Sequence, residues 1–126
     1  MRVAFLVFLF ASIGWSETVE EMLSSCRGVL DAEVRNGETI LLQDFATGKC
    51  WGAFAVIQKA VGIVIEPDTK PIFRVCAPPE GTRTQLVAIF SEYVKRNPKY
   101  LSDEFFQVAR RSLLQAFPCD PRPNTK

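Results

Sequence analysis

Four cysteines set the strongest constraint on how this chain folds. They are Cys26, Cys50, Cys76 and Cys119, and the 126-residue sequence contains no histidine. No two of them have the spacing of a Cys-x-x-Cys redox pair or of a zinc knuckle. The role of the thiols therefore depends on the compartment, because disulfides form and persist in oxidising environments.

The N-terminal segment predicts export. It reads MRVAFLVFLFASIGWS, with one arginine, an apolar run at residues 3–10 and smaller residues before Ser16. A membrane anchor is the alternative, but this run is shorter than the roughly 20 apolar residues that span a bilayer. We expect residues 1–16 to be a cleaved signal peptide, residues 17–119 to form one domain, and residues 120–126 to be a flexible tail.

Export favours disulfides over metal binding. An even number of cysteines in an exported chain indicates a disulfide framework. A chain without histidine and without close cysteine pairs lacks the usual ligand set of a structural zinc site. We therefore expect two disulfides, and neither a metal nor a cofactor.

Helical signals recur along the mature chain. Thr18 with Glu21, and Thr82 with Gln85, have the spacing of capping boxes, and Asp44 is a good N-cap for the helix between them. The middle segment is rich in alanine and glycine, which let a neighbouring helix approach closely, so we expect it to be the most buried helix. Its end, GIVI at residues 62–65, could instead form a strand, and Asn-Gly at residues 36–37 indicates a turn.

The last helix is expected to begin at Ser102. Asp103 and Glu104 would then face the positive end of the helix, and Leu101 and Phe106 would form a hydrophobic staple. Pro118 would end it. Together the segments predict an all-α fold, a small bundle of four to five helices with two disulfides.

The order of the helices favours one disulfide pairing. Short links place consecutive helices antiparallel, so the end of the first helix lies beside the start of the second. Cys26 would then meet Cys50, and Cys76, before the third helix, would meet Cys119, after the last. Bridged Cα atoms must lie within about 7 Å, and of the three pairings this one needs the least strain.

The sequence offers no catalytic set. Nucleophilic catalysis needs a base beside a serine, threonine or cysteine, and histidine, the usual base, is absent. The carboxylates lie scattered at helix ends and turns. Fifteen basic residues face fourteen acidic ones, without the basic stripe that nucleic-acid binding needs. We expect a protein that is not an enzyme and does not bind nucleic acid or, after signal cleavage, a membrane.

Three stretches carry a resemblance to a known family. EEMLSSCRGVL, GKCWGAF, and VCAPPEGTRTQLVAIFSEYVKRNPKYLSDEFFQVARRSLLQAFPC resemble the Rap/Tai family of amidase immunity proteins from type VI secretion. The resemblance covers nearly all of the mature chain, is most specific from Cys76 to Cys119, and matches each of the four cysteines to a family cysteine. It implies an all-helical, periplasmic homodimer that binds a toxin, a peptidoglycan amidase, and blocks its cleft with a loop.

The resemblance does not identify the loop that contacts the amidase effector. One candidate is the connection that contains Lys99 and Tyr100, and the other is the turn at residues 66–71, with Glu66 and Asp68. A small disulfide-stapled periplasmic chaperone or stress protein, and a lipid-binding helical module, are the alternative functions. The chaperone would bind many unfolded clients and the helical module would bind lipid, whereas the immunity protein would bind one amidase.

Overall fold

The computed structural model describes residues 16–119. The expected signal peptide, except Ser16, and the expected tail lie outside these residues. Within them no helix is long and apolar enough to cross a membrane. The described elements are helices α1 (Val19–Ser25) and α2 (Arg27–Leu30), strands β1 (Glu33–Arg35) and β2 (Glu38–Ile40), helices α3 (Phe45–Val61) and α4 (Arg83–Arg96), a 3₁₀ helix (Pro98–Tyr100), and helix α5 (Phe105–Ala116).

The expectation of an all-α fold is wrong, because a β-hairpin follows α2. Strands β1 and β2 pair antiparallel, with Val34 opposite Thr39. The two residues between the strands, Asn36 and Gly37, have φ angles of 52° and 81°. Positive φ at both positions is the geometry of a type I′ turn, and Asn-Gly is the sequence that adopts it most readily. The fold is therefore mixed, with five helices and one two-stranded sheet in the described chain.

Three of the four expected helix starts are confirmed. The backbone N–H of Glu21 donates to the Thr18 hydroxyl at 3.3 Å, and the Thr18 N–H donates to the Glu21 carboxylate at 3.0 Å. The same reciprocal pair joins Thr82 and Gln85, at 3.2 and 2.9 Å. The Asp44 carboxylate accepts the N–H three residues further on at 2.8 Å. Each cap satisfies N–H groups that have no partner within the helix.

The fourth expected start, at Ser102, is wrong. The N-cap of α5 is Glu104, whose carboxylate accepts the backbone N–H groups of Phe106 and Gln107 at 3.0 and 2.9 Å. The preceding backbone instead pairs with the beginning of the domain, where the Val19 N–H donates to the Asp103 carbonyl at 3.0 Å. This pairing holds the backbone before Glu104 out of the helix.

The later start also removes the staple expected between Leu101 and Phe106. With Glu104 as the N-cap, Phe106 is the second helical residue and not the fourth, which is the position that a staple requires. Both side chains instead pack, half-buried, against the core.

Three phenylalanines form the centre of the core. Phe54 of α3, Phe90 of α4 and Phe105 of α5 are all buried, and their ring centroids lie 5.4–5.7 Å apart. Their tilted and edge-to-face arrangements are those that aromatic pairs prefer. Val19 and Met22 of α1 belong to the same buried cluster, so one core joins all the long helices.

Two disulfides hold the helices together. Cys26, at the end of α1, is bonded to Cys50 in α3, with 5.1 Å between the Cα atoms. Cys76, before α4, is bonded to Cys119, after α5, with a Cα separation of 4.9 Å. These are the pairs that the helix order favours. Next to the second disulfide, the Cys76 N–H donates to the Phe117 carbonyl at 2.8 Å.

Candidate protein-binding surface

A solvent-exposed loop connects α3 to the segment before α4. We call residues 63–72 the apolar loop, because it exposes several large apolar side chains, among them Ile65, which is 77% exposed. Its base is closed by a hydrogen bond of 3.0 Å from the Ile72 N–H to the Ile63 carbonyl. A surface loop of this length whose ends lie close together is an Ω-loop, a type that is frequently functional. The sequence allows GIVI, residues 62–65, to form a strand or the end of α3, but in the structure these residues form neither.

The tip of the apolar loop is a fixed turn. The Thr69 N–H and hydroxyl both donate to the Glu66 carbonyl, at 3.2 and 2.6 Å. Asp68 has a φ of 64°, in the left-handed region that aspartate tolerates better than most residues. The structure therefore brings the two predicted contact residues, Glu66 and Asp68, together as exposed carboxylates on one ordered tip.

Both ends of the apolar loop are anchored. On one side it follows Val61, the last residue of α3, which is 6% exposed. On the other side it leads into Val75, which is 1% exposed and forms an isolated antiparallel bridge with Pro118. The disulfide from Cys76 follows directly. This anchoring limits the motion of the loop base relative to the core.

The other predicted contact residues, Lys99 and Tyr100, lie at the opposite end of α4. They belong to the 3₁₀ helix that follows α4, whereas the apolar loop borders a small cleft that includes Leu86, in the first turn of α4. A helix of 14 residues is about 21 Å long. The two pairs of predicted residues therefore do not form one site.

Tyr100 is a packing residue. Its half-buried ring stacks on the ring of Tyr93, with the centroids 6.1 Å apart and an angle of 3° between the planes. The Arg111 guanidinium lies 4.9 Å from the Tyr100 centroid, and the Lys99 ammonium lies 5.0 Å from it. These contacts occupy the ring, so that of this pair only Lys99 is exposed.

A second exposed surface runs along α3. We call Phe45, Gly48, Gly52 and Val56 the outer α3 face, because spacings of three and four residues place them on one side of the helix. Phe45 is 85% and Val56 67% exposed, and nothing lies within 4 Å of a Cβ built on either glycine. The expectation that α3 is the most buried helix is wrong, since only five of its 17 residues are buried.

The hairpin adds a third exposed feature. All six residues of β1 and β2 are exposed, including Val34 at 69% and Ile40 at 49%. Glu33 and Arg35, both on β1, form an exposed ion pair with 2.7 Å between the charged atoms. An isolated two-stranded hairpin is marginally stable in water.

The shifted ionisable groups of the described chain are helix caps. Accepting the Thr18 backbone N–H lowers the pKa of Glu21, and accepting the Thr47 backbone N–H lowers the pKa of Asp44. No group of three or more histidine, cysteine or acidic side chains that could hold a metal ion occurs within residues 16–119. Both shifted groups therefore serve helix capping. The exposed large apolar side chains lie instead mainly on the apolar loop, the outer α3 face and the hairpin.

A family model described as Rap1a immunity proteins matches residues 18–119. The chain belongs to this family. The match extends from the capping threonine of α1 to the last cysteine, and it confirms the resemblance to the Rap/Tai immunity proteins. Comparisons with curated proteins and with solved structures find no significant match.

Membership indicates the general function of this Rap1a immunity protein. It is an immunity protein against a secreted effector, its partner is that effector protein, and the family indicates a non-enzymatic inhibitor. Order in a binding surface before association lowers the free-energy cost of binding. The closed base and fixed tip give the apolar loop such order.

Sequence reasoning missed the outer α3 face and the hairpin. The sequence does carry a signal for the outer α3 face. Phe45 and Val56 are 11 residues apart and therefore share one face of the helix. The buried residues of α3, among them Cys50, Phe54 and Ile57, lie on another face. The glycines between them predict a close approach by a neighbouring helix of the same chain. No neighbour within residues 16–119 fills that space.

Proposed function

We propose that this Rap1a immunity protein acts in the periplasm, where it binds and blocks a peptidoglycan amidase delivered by type VI secretion. The N-terminal sequence and the two disulfides support an oxidising, extracytoplasmic location. The match to the immunity family supports the inhibitory role. The amidase as target follows from the resemblance of the three sequence stretches.

The apolar loop is the proposed plug. The observation that carries this assignment is Ile65, which is 77% exposed on a loop with a closed base and a fixed tip. Such exposure is costly in water, whereas burial of a complete isoleucine side chain in a partner contributes about 1.5–3 kcal/mol. The exposed carboxylates of Glu66 and Asp68 follow it in the turn and would pair with polar or cationic groups at the rim of the effector cleft.

The outer α3 face is the proposed contact between two copies in a homodimer. Gly48 and Gly52 leave room for a second helix to approach closely, and Phe45 and Val56 offer apolar contact at either end. A two-fold dimer uses the same patch on both copies, so one self-complementary helix face suffices. The apolar loops would remain free for one effector each.

The function is tested by protection from the effector. Cells that export an amidase toxin should survive when they also export the wild-type protein, and a pull-down from the periplasm should capture one amidase. Ile65→Asp should abolish protection and weaken the Kd at least tenfold, since it removes an apolar contact and places a charge in the interface. Lys99→Ala is the matched control and should protect as well as the wild type.

Three results would contradict the proposal. The first is an absence of protection against any amidase, and the second is capture of many unfolded clients or of lipid in place of one enzyme. The third is full protection by Ile65→Asp, which would remove the apolar loop from the interface.

The dimer is tested by analytical ultracentrifugation. Gly52→Arg should yield a monomer with an unchanged circular dichroism spectrum, because the new side chain points into open space in one copy but blocks the second. Gln107→Arg, at an exposed position of α5, is the control and should leave the dimer intact. A dimer that persists in Gly52→Arg would place the contact elsewhere.

A further inference from the structure

The two disulfides differ in their access to solvent. Cys26 and Cys50 are both 0% exposed and belong to the core. Cys76 is exposed and Cys119 is half-buried, and each of them lines a surface cleft. A thiolate breaks a disulfide by attacking one of its sulfurs, so the rate of reduction depends on access. A reductant can therefore approach Cys76–Cys119 in the folded protein, whereas Cys26–Cys50 becomes accessible when the core opens.

The chain before Cys76 has anchors that do not depend on the disulfide. Val75 is 1% exposed, and the ring of Phe73 meets the ring of Phe106 edge to face, with the centroids 5.9 Å apart. Cys76 and Cys119 themselves do not belong to the buried core. Reduction of this disulfide should therefore leave the core packed and the protein folded.

The disulfide lies where two segments of the chain meet. Val75 forms a bridge with Pro118, and the Cys76 N–H donates to the Phe117 carbonyl at 2.8 Å. These contacts join the chain that leaves the apolar loop to the chain that follows α5. Without the covalent link, the hydrogen bond at the exposed Cys76 can open to water while its buried neighbours stay in place. The base of the apolar loop then loses one of its anchors.

We propose that Cys76–Cys119 is a redox switch that a dithiol operates in the folded protein. One thiolate of the dithiol attacks the Cys76 sulfur, the S–S bond breaks, and Cys119 leaves as a thiolate that takes up a proton. The second thiol of the dithiol attacks the resulting mixed disulfide and releases Cys76 as a thiol. Two electrons and two protons thus pass from the dithiol, which becomes a disulfide, to the two cysteines. A disulfide oxidant reverses the exchange.

The two states differ in the order of the apolar loop. With the disulfide formed, the base of the loop is fixed on both sides. In the reduced state the side that leads to Cys76 moves more freely, so that ordering the loop on association costs more free energy. The effect on the effector rests on the proposed function, because it requires the apolar loop to be the plug. The selective reduction does not require it.

The first test is reduction of the folded mature protein, followed by alkylation and peptide mass mapping. The probes are dithiothreitol, a small dithiol, and reduced thioredoxin, a protein dithiol. With dithiothreitol, Cys76 and Cys119 should be labelled at least a hundredfold faster than Cys26 and Cys50. In urea, which opens the core, all four should be labelled. Labelling with thioredoxin as well would identify protein dithiols as reductants, and labelling with dithiothreitol alone would restrict them to small dithiols.

Hydrogen exchange measures the effect on the loop base. In the reduced protein, and in Cys76→Ser/Cys119→Ser, the N–H at position 76 should exchange at least tenfold faster than in the disulfide-bonded protein. The Phe90 N–H, in the core, should remain the slower of the two. Lys99→Ala, which keeps both disulfides, is the control and should exchange like the wild type. Circular dichroism checks that the reduced protein and the variants keep their helices.

The protection assay separates this proposal from the proposed function. Where the wild type protects, Cys76→Ser/Cys119→Ser should protect less well at equal protein levels, and full protection would contradict the effect on the effector. If the wild type itself does not protect, the proposed function fails, while labelling and hydrogen exchange still decide the redox step.

Four outcomes would overturn the redox switch. They are labelling of both disulfides at equal rates in the folded protein, resistance of Cys76–Cys119 to both dithiols, unchanged exchange at position 76 after reduction, and loss of the helices when only Cys76–Cys119 is reduced.

Discussion

Removal of the two disulfides should lower the free energy of unfolding by different amounts. We expect the larger loss for the disulfide that closes the shorter loop. Cys26 and Cys50 are 24 residues apart, and Cys76 and Cys119 are 43 apart. Restriction of the unfolded chain by loops of these lengths contributes about 3.5 and about 4 kcal/mol, respectively, to the free energy of unfolding. If loop closure alone decided the effect, removal of Cys76–Cys119 would be the more damaging change.

Burial reverses this order. Cys26 and Cys50 are both 0% exposed, whereas Cys76 is exposed and Cys119 is half-buried. Serine at the two buried positions would place hydroxyls in the core, and each unsatisfied hydroxyl costs about 1–3 kcal/mol. We therefore expect Cys26→Ser/Cys50→Ser to lose roughly 5.5–9.5 kcal/mol and Cys76→Ser/Cys119→Ser roughly 4 kcal/mol.

The assay is urea unfolding of each variant without reductant, followed by circular dichroism. A domain with a typical stability of about 5–15 kcal/mol can lose its fold in Cys26→Ser/Cys50→Ser while Cys76→Ser/Cys119→Ser stays folded. The corresponding alanine pairs bury no hydroxyl and should keep the same order, because loss of two buried sulfurs leaves a cavity. The reasoning is refuted if removal of Cys76–Cys119 destabilises the protein as much as removal of Cys26–Cys50, or more.

Four further predictions concern the core, two helical glycines and the helix caps. Phe54→Ala should lower the free energy of unfolding by about 3–5 kcal/mol in urea titrations, since Phe54 is fully buried among two other rings. Gly28→Ala should cost about 1–3 kcal/mol, because its Cβ would lie 2.0 Å from a side-chain oxygen of α3. Gly48→Ala, with open space around it, should instead stabilise the monomer by up to about 1 kcal/mol. The lowered pKa values of Glu21 and Asp44 mean that their stabilising effect is present above the ordinary values of 4.5 and 3.8, and is lost as the pH falls through the folded values. Thermal melts between pH 6 and about 2 should show this loss, and Glu21→Gln should reduce it.

Features that depend on a few neighbouring residues could be predicted from the sequence. The capping boxes at Thr18 and Thr82 and the cap at Asp44 each need only a side chain and the N–H groups within three residues. The end of α4 at Asn97 has an equally local cause, because Pro98 restricts the residue before it.

Features that depend on distant pairing could not be predicted in the same way. Ser102 has a good N-cap side chain, but the backbone around it is taken by residues 17–20, over 80 positions earlier in the sequence. The hairpin was missed for another reason. Its strands have three residues each and no buried face, so the alternation that identifies longer strands is absent and only Asn36–Gly37 marks it.

The predicted contact residues show the same contrast between local and distant interactions. The turn signal that selected Glu66 and Asp68 is local, and both residues lie on the ordered tip of the apolar loop. The sequence around Tyr100 gives no sign that Tyr93 and Arg111 will cover its ring, because those contacts come from two other helices. Whether an exposed residue remains available is decided by its neighbours in space.

The positions of the two disulfides suggest different tasks. Cys26–Cys50 lies inside the core and joins the α1–α2 segment to α3, so its effect is on the stability of the whole domain. Cys76–Cys119 lies one residue beyond Val75, where the chain leaving the apolar loop bridges to Pro118. Local opening at this surface position would free the base of the loop while the core stayed packed. The second disulfide therefore contributes most to the order of the loop, and that order reduces the cost of binding.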